Sequence, residues 1–310
     1  MDIILLKPAL KDIIWGGNRL VDEFGYDSNF ARIAEAWVVS AHPAGQSTAI
    51  GGEFDGKPLF DILNQHPELC GDNPHGDFPL LIKFIDAARD LSIQVHPDDQ
   101  YAAAHENGCG KTEMWYVMDA APGAFVYYGF KHHVTSKEFS ESIESGTVCE
   151  LLNKVLCQKG DVFFIPAGTV HAIGAGLLIC EIQQSSNLTY RIFDYNRPGP
   201  DGTPRELHIR KAAEASDLSP SRPSGKPRGK TRKLGMLSRT VLARCDYFTS
   251  THYRGSGEIP CKKTWGLAVI LGGSGTLNGR AVKKGDGAFI PVRTEKLALT
   301  GDLELIYTTP

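Results

Sequence analysis

Four residues of this 310-residue chain have the types and spacing to hold a metal ion. Gln94 and His96 stand two apart in a predicted strand, so their side chains leave one face while Ile93 and Val95 leave the other. Glu113 lies on the next predicted strand after a helical excursion, and His171 comes from a later strand-and-turn segment. Two imidazoles, a carboxylate and a carboxamide can surround a divalent ion and still leave room for water or substrate, as a catalytic site requires. A histidine in a β protein is more commonly a hydrogen-bonded core or surface group. His66, His75, His105, His132, His133, His208 and His252 are read that way, because none sits among partners of the right type.

Strands must position this group. Pro79–Ile85 and Leu91–His96 read as buried strands, and Pro97-Asp98-Asp99 opens a helix that Gly108 closes. Thr112–Met118, Phe125–Tyr128, Asp161–Ile165 and Leu177–Gln183 read as further strands. Between them, Ser136–Lys154 is helical by pattern and broken at Gly146 into two short helices, and Arg205–Ala215 reads as another helix. Residues 216–233 are rich in Ser, Pro and Gly and carry six Lys or Arg against one Asp, which reads as a mobile basic linker, with an anion-binding loop as the minor alternative. Residues 234–310 are strand and turn, with Asn278-Gly279 as a hairpin signal.

An internal repeat sharpens the fold. Gly160-Asp161-Val162-Phe163-Phe164-Ile165-Pro166 recurs as Gly285-Asp286-Gly287-Ala288-Phe289-Ile290-Pro291, 125 residues later. The first copy runs on through Gly168 to His171 and resembles the second signature motif of the cupin family. The second copy has neither that Gly nor the His. The expected fold is mainly β with helical insertions, built as a double cupin-like jelly-roll barrel. Residues 1–215 would form the metal-binding catalytic unit, 216–233 the linker, and 234–310 a β unit without metal.

Two features depart from a general cupin. Gln94 stands where the first histidine of the H-x-H pair is usual, and about 16 residues separate His96 from Glu113. Both suit one branch. The chain resembles the short bacterial form of class I mannose-6-phosphate isomerase through Trp15-Gly16-Gly17, Glu35-Ala36-Trp37, Leu80-Leu81-Ile82-Lys83, Leu91 to Asp99, Lys111 to Tyr116, Gly160 to His171 and Asn187 to Arg191. That resemblance implies one zinc ion per chain, held at Gln94, His96, Glu113 and His171. It implies Arg191 as the catalytic arginine with Lys111 beside the metal, and Lys83 and Ser92 facing the substrate phosphate. It also implies conversion of mannose 6-phosphate to fructose 6-phosphate through an enediol. Thr112 stands where longer members often have Pro.

Composition agrees with an enzyme of small molecules. A net charge of −3 gives no reason to expect nucleic acid or an anionic membrane as partner, and monomer and homodimer stay open. Seven Cys without a CxxC pair suit a reducing compartment, with most thiols as small core residues. No apolar stretch approaches a membrane span and no signal peptide is evident, which points to the cytoplasm. Gly272-Gly273-Ser274-Gly275 reads as a β-turn and not a phosphate loop. The competing functions are a metal cupin acting on another sugar phosphate or on free mannose, a cupin dioxygenase, and a sugar-binding protein without catalysis.

Overall fold

The computed structural model of the chain describes residues 2–71, 78–199, 202–261 and 263–310; His75 lies outside them. The apolar runs form antiparallel strands in three sheets. The six-stranded sheet runs in the order Val162–Ile165, Glu113–Ala120, Leu177–Gln184, Leu80–Ala87, Glu35–Val39, Ala9–Lys11. The five-stranded sheet runs Tyr190–Phe193, Ile93–Val95, His171–Ile173, Phe125–Phe130, Leu152–Leu156. The nine-stranded sheet gathers the strands from Arg232 onward and adds Ile4–Lys7 and Thr48–Ile50 from the start of the chain. The fold is mainly β with short helices, cupin-like in layout, as expected. The hydrogen-bonded path of each sheet is open.

Leu80–Ala87 and Leu177–Gln184 bury all eight of their residues because both faces of this sheet are covered. One face, with Ile82, Phe84 and Ile182, packs on Leu267, Phe289 and Ile306 of the nine-stranded sheet. The other face, with Ile85, Trp115 and Ile179, packs on Val126 and Ile173 of the five-stranded sheet. Phe84 is fully buried in the first of these layers, 5.0 Å from the Phe24 ring. Phe84→Ala should therefore cost about 3–5 kcal/mol. A denaturant titration would read this as a lower midpoint at unchanged slope; an unmoved midpoint would contradict the packing account.

Two of the helices start where a side chain caps them. Asp98 accepts from the Tyr101 N–H ahead of Asp99–His105, and Thr135 and Glu138 form a capping box ahead of Ser136–Glu144. The break at Gly146 is present, at φ +73°, and Val148–Leu151 follows. Leu152–Leu156 then turns to strand because the edge of Phe125–Phe130 offers it partners. The helix expected over Arg205–Ala215 starts only at Ile209, since the His208 N–H donates to the Arg191 carbonyl and ties the preceding residues to the sheet.

Residues 216–233 differ from the expected mobile linker. They form a strap whose Ser221 N–H donates to the Phe130 carbonyl, whose Gly225 carbonyl accepts from Val162, and whose Arg228 N–H donates to Leu242. Gly272–Gly275 is likewise no turn. It lies inside the strand Gly266–Leu277, where a side chain at Gly273 would meet the Asp302 carbonyl 1.7 Å away. Cys180 is fully buried; the other cysteines lie at core edges or, at Cys109, in solvent. The four tryptophans are all buried, as expected.

The sequence repeat is a structural one. Gly160 and Gly285, at φ +93° and +97°, donate to Val117 and Ile270 at 2.8 and 2.9 Å. Val117 and Ile270 donate back to the carbonyls of Asp161 and Asp286, both at 2.9 Å. The register repeats as well. Ile165 lies opposite Glu113, and Ile290 lies opposite Gly266. The place of the carboxylate is thus glycine in the second copy, and Tyr307 ring atoms lie 2.4 Å from where a side chain would start.

Candidate metal centre

The five-stranded sheet lines up the predicted residues. Arg191 lies opposite Gln94, Gln94 opposite His171, and His171 opposite Tyr128. Directly opposed residues share a face, so these side chains form one row. On the six-stranded sheet, Lys83 lies opposite Glu181 and Trp37, Glu181 opposite Trp115, and Gln183 opposite Glu113. The two rows meet where the His171 Nε2 lies 3.4 Å from Glu113 Oε1 and His96 Nε2 lies 3.6 Å from Glu113 Oε2. Gln94 Nε2 is 3.4 Å from His171 Nε2.

His96, Glu113 and His171 are the one group of three or more His, Cys, Asp or Glu among the described residues whose ligand atoms all lie within 4.8 Å of each other. The His96 Nδ1 pairs with the Leu188 carbonyl and the His171 Nδ1 with the Thr169 carbonyl, each at 2.8 Å. Spending Nδ1 on a carbonyl leaves each Nε2 as an inward lone pair, the arrangement that outer partners impose on metal-binding imidazoles. Both oxygens of Glu113, Glu181 Oε1 and Gln183 Oε1 are buried acceptors without a geometrically sound hydrogen bond. Acceptors gathered so closely fit a cation, whether a lysine ammonium or a metal ion. Gln94, half-buried, adds a carboxamide at the rim.

One cation of the chain is already close. The Lys111 ammonium is 2.6 Å from Glu113 Oε2, 3.1 Å from His96 Nε2 and 3.5 Å from Glu181 Oε1. Glu181 also faces Lys83 at 3.5 Å, and Lys83 faces Glu35 at 3.5 Å. The charges alternate from half-buried Glu35 through buried Lys83, Glu181 and Lys111 to Glu113. Trp37 and Trp115 hold two of these carboxylates by indole N–H donors, to Glu35 at 2.6 Å and Glu181 at 3.0 Å. Burial works against the Lys111 charge, but Glu113 and Glu181 outweigh it and hold its pKa above the ordinary lysine value. Burial and the Glu181 charge push Glu113 upward, opposed by Lys111.

Burial, with Lys111 nearby, pushes the His96 imidazole well down and the His171 imidazole to about 4. Both rings are therefore neutral at neutral pH and ready to act as ligands. The folded pKa lies below the unfolded one, so the unfolded chain binds more protons between about pH 6.5 and 4. Chelator-treated protein should lose stability as pH falls through that window, by of order 3 kcal/mol for His171 alone. A pH series of denaturation midpoints checks this; a flat profile in which His171→Gln behaves identically would contradict it.

Arg191 sits at the edge of the site. Its Nη1 donates to the Glu206 carbonyl at 2.9 Å, its backbone N–H donates to His208 Nδ1 at 3.1 Å, and its Nε is buried without a partner. The segment that supplies these contacts is clamped at Arg205, whose Nε and Nη2 grip the two oxygens of buried Asp194 at 2.6 Å each. Ser92 is buried just ahead of the strand that carries Gln94.

The sequence reading passed over Glu181, Glu35, Gln183, Asp194 and the His208 contact. Glu181 and Gln183 were visible as polar residues inside a continuous apolar strand, a pattern that calls for buried partners. Thr112 also has a role: its N–H donates to Gln184 Oε1 at 2.8 Å and its hydroxyl accepts from Ala167, and a proline there could not make the first bond.

Comparison with known proteins gives the family. The sequence pattern of the family described as "Phosphomannose isomerase type I, catalytic domain" matches residues 3–125. The mannose-6-phosphate isomerase of Streptococcus mutans is 40% identical, over 98% of this chain and 96% of that protein. The chain belongs to the type I phosphomannose isomerase family. Another member, the mannose-6-phosphate isomerase ManA of Bacillus subtilis, is 40% identical over 98% of both chains. A crystal structure of a Bacillus subtilis mannose 6-phosphate isomerase superposes with a TM-score of 0.93 at 35% identity, covering 99% of both chains. No helix among the described residues is long and apolar enough to cross a membrane.

Proposed function

We propose that this chain interconverts mannose 6-phosphate and fructose 6-phosphate as a zinc-dependent aldose–ketose isomerase. The observation that carries the reading is the His96–Glu113–His171 cluster, set beside Arg191 and Lys111 in a chain 40% identical over nearly its whole length to mannose-6-phosphate isomerases. Gln94 would complete the ligand set with its carboxamide oxygen. When bound, the metal would supply a Lewis acid for the sugar oxygens at C1 and C2.

The remaining chemistry belongs to the chain. Moving a proton between C2 and C1 builds negative charge on oxygen, and a fixed cation aimed there lowers the barrier. Arg191 is assigned that role, since the Glu206 carbonyl and His208 hold it in place opposite Gln94. Lys111, kept charged by Glu113 and Glu181, is assigned an electrostatic role rather than that of the base. The apolar layer of Trp115, Ile165 and Ile173 closes the floor and excludes water. The phosphate end is assigned to Ser92 and Lys83 on the resemblance alone; a substrate phosphate would have to compete with Glu35 and Glu181 for Lys83. Residues 1–215 would carry catalysis, with 234–310 as a β unit without metal.

A coupled assay comparing mannose 6-phosphate with free mannose tests the substrate class. Turnover of the phosphate ester with none of free mannose is the expected result. Equal turnover of the two would remove the phosphate from the account.

A further inference from the structure

Along residues 221–230 the strap alternates in exposure. Arg222, Ser224, Lys226, Arg228 and Lys230 face solvent, while the residues between them are half-buried against the protein. Its hydrogen bonds to Phe130, Val162, Val241 and Leu242 fix this spacing in advance. Alternate residues of an extended chain are about 6.6 Å apart, close enough for long side chains to converge on one ligand. None of Arg222, Lys226, Arg228 and Arg244 forms an ion pair among the described residues. These are unneutralised cations on a chain whose net charge is −3.

The four cations line a cavity of about 280 Å³ that also meets Tyr128 and Phe164. The Tyr128 hydroxyl is spent on the Phe164 carbonyl at 2.5 Å, so these rings offer the cavity an apolar wall. Convergent guanidinium and ammonium groups suit phosphate, and an aromatic wall suits a flat ring. We propose that this cavity binds a nucleoside diphosphate, with its phosphates on Arg222, Lys226, Arg228 and Arg244 and its base against Tyr128 and Phe164. The competing occupant is an anionic lipid surface, because Leu234 and Met236 are exposed beyond the strap. A concave site with an aromatic wall favours the small molecule.

The test is calorimetric titration of ADP into the zinc-loaded full chain, beside Arg228→Ala/Arg244→Ala and beside pelleting with phosphatidylglycerol vesicles. The expected result is one ADP per chain, with binding weakened about tenfold or more in the double variant at an unchanged melting midpoint. Lys226→Glu, a single surface change, gives a second reading of the same loss should the double variant melt early. No saturable binding, binding undiminished in both variants, or capture by vesicles without ADP binding would overturn the proposal.

Discussion

His171→Ala should give a folded chain that keeps no zinc after dialysis and turns over more than about 100-fold more slowly. The estimate follows from ligand geometry. Losing an outer partner of a metal ligand typically costs about 10–100-fold in affinity or activity, and losing a ligand costs more. His171 supplies an inward Nε2 3.4 Å from Glu113, and nothing else in its row can replace it. Its ring is also packed edge-on against Trp115 at 5.3 Å, so the alanine variant will lose some stability. His171→Gln keeps most of the volume and separates the two effects. It should melt close to the parent chain while binding zinc poorly. Elemental analysis showing full zinc in the alanine variant would remove His171 from the ligand set.

Arg191→Ala should behave in the opposite way, retaining one zinc per chain and losing about 10²–10³ in kcat, the usual cost of removing one preorganised donor to a developing oxyanion. The guanidinium hangs from a strand opposite Gln94 and is steadied by the Glu206 carbonyl, so its loss leaves the imidazoles and Glu113 untouched. Most of the loss should fall on kcat and little on KM, because the charge it meets exists only in the transition state. Arg191→Lys should recover part of the rate, since it restores charge without the fork that the Glu206 contact uses. A variant that loses zinc together with activity would show that Arg191 acts by holding the sheet together.

Much of this site is legible in the chain because strand geometry is simple. The spacing of Gln94 and His96 places both on one face, and the Gly-Asp turn before Val162 marks where the strand carrying Phe163 begins. The repeat of that turn at Gly285 points to two related strand-and-turn segments, and the same backbone hydrogen bonds recur in both. The fold alone reveals how they pair. No periodicity states that Arg191, Gln94 and His171 lie abreast, since that depends on which strands become neighbours. The charge chain from Glu35 to Glu113 is hidden for the same reason: four of its members come from four different strands, Lys111 comes from the segment leading into one of them, and only the register puts Lys83 opposite Glu181. The strap was misread because Ser, Pro and Gly suggest mobility, whereas here they suit an extended chain that must run close to the sheet edge. Gly272–Gly275 misled in a similar way, since glycine marks both turns and close backbone approach.

The most direct test of the central claim is fructose 6-phosphate formation from mannose 6-phosphate by purified protein, measured before a chelator, after it, and after zinc is added back. The account predicts that activity disappears with the metal and returns with zinc at one ion per chain. Full activity in protein shown by elemental analysis to hold no metal would contradict it.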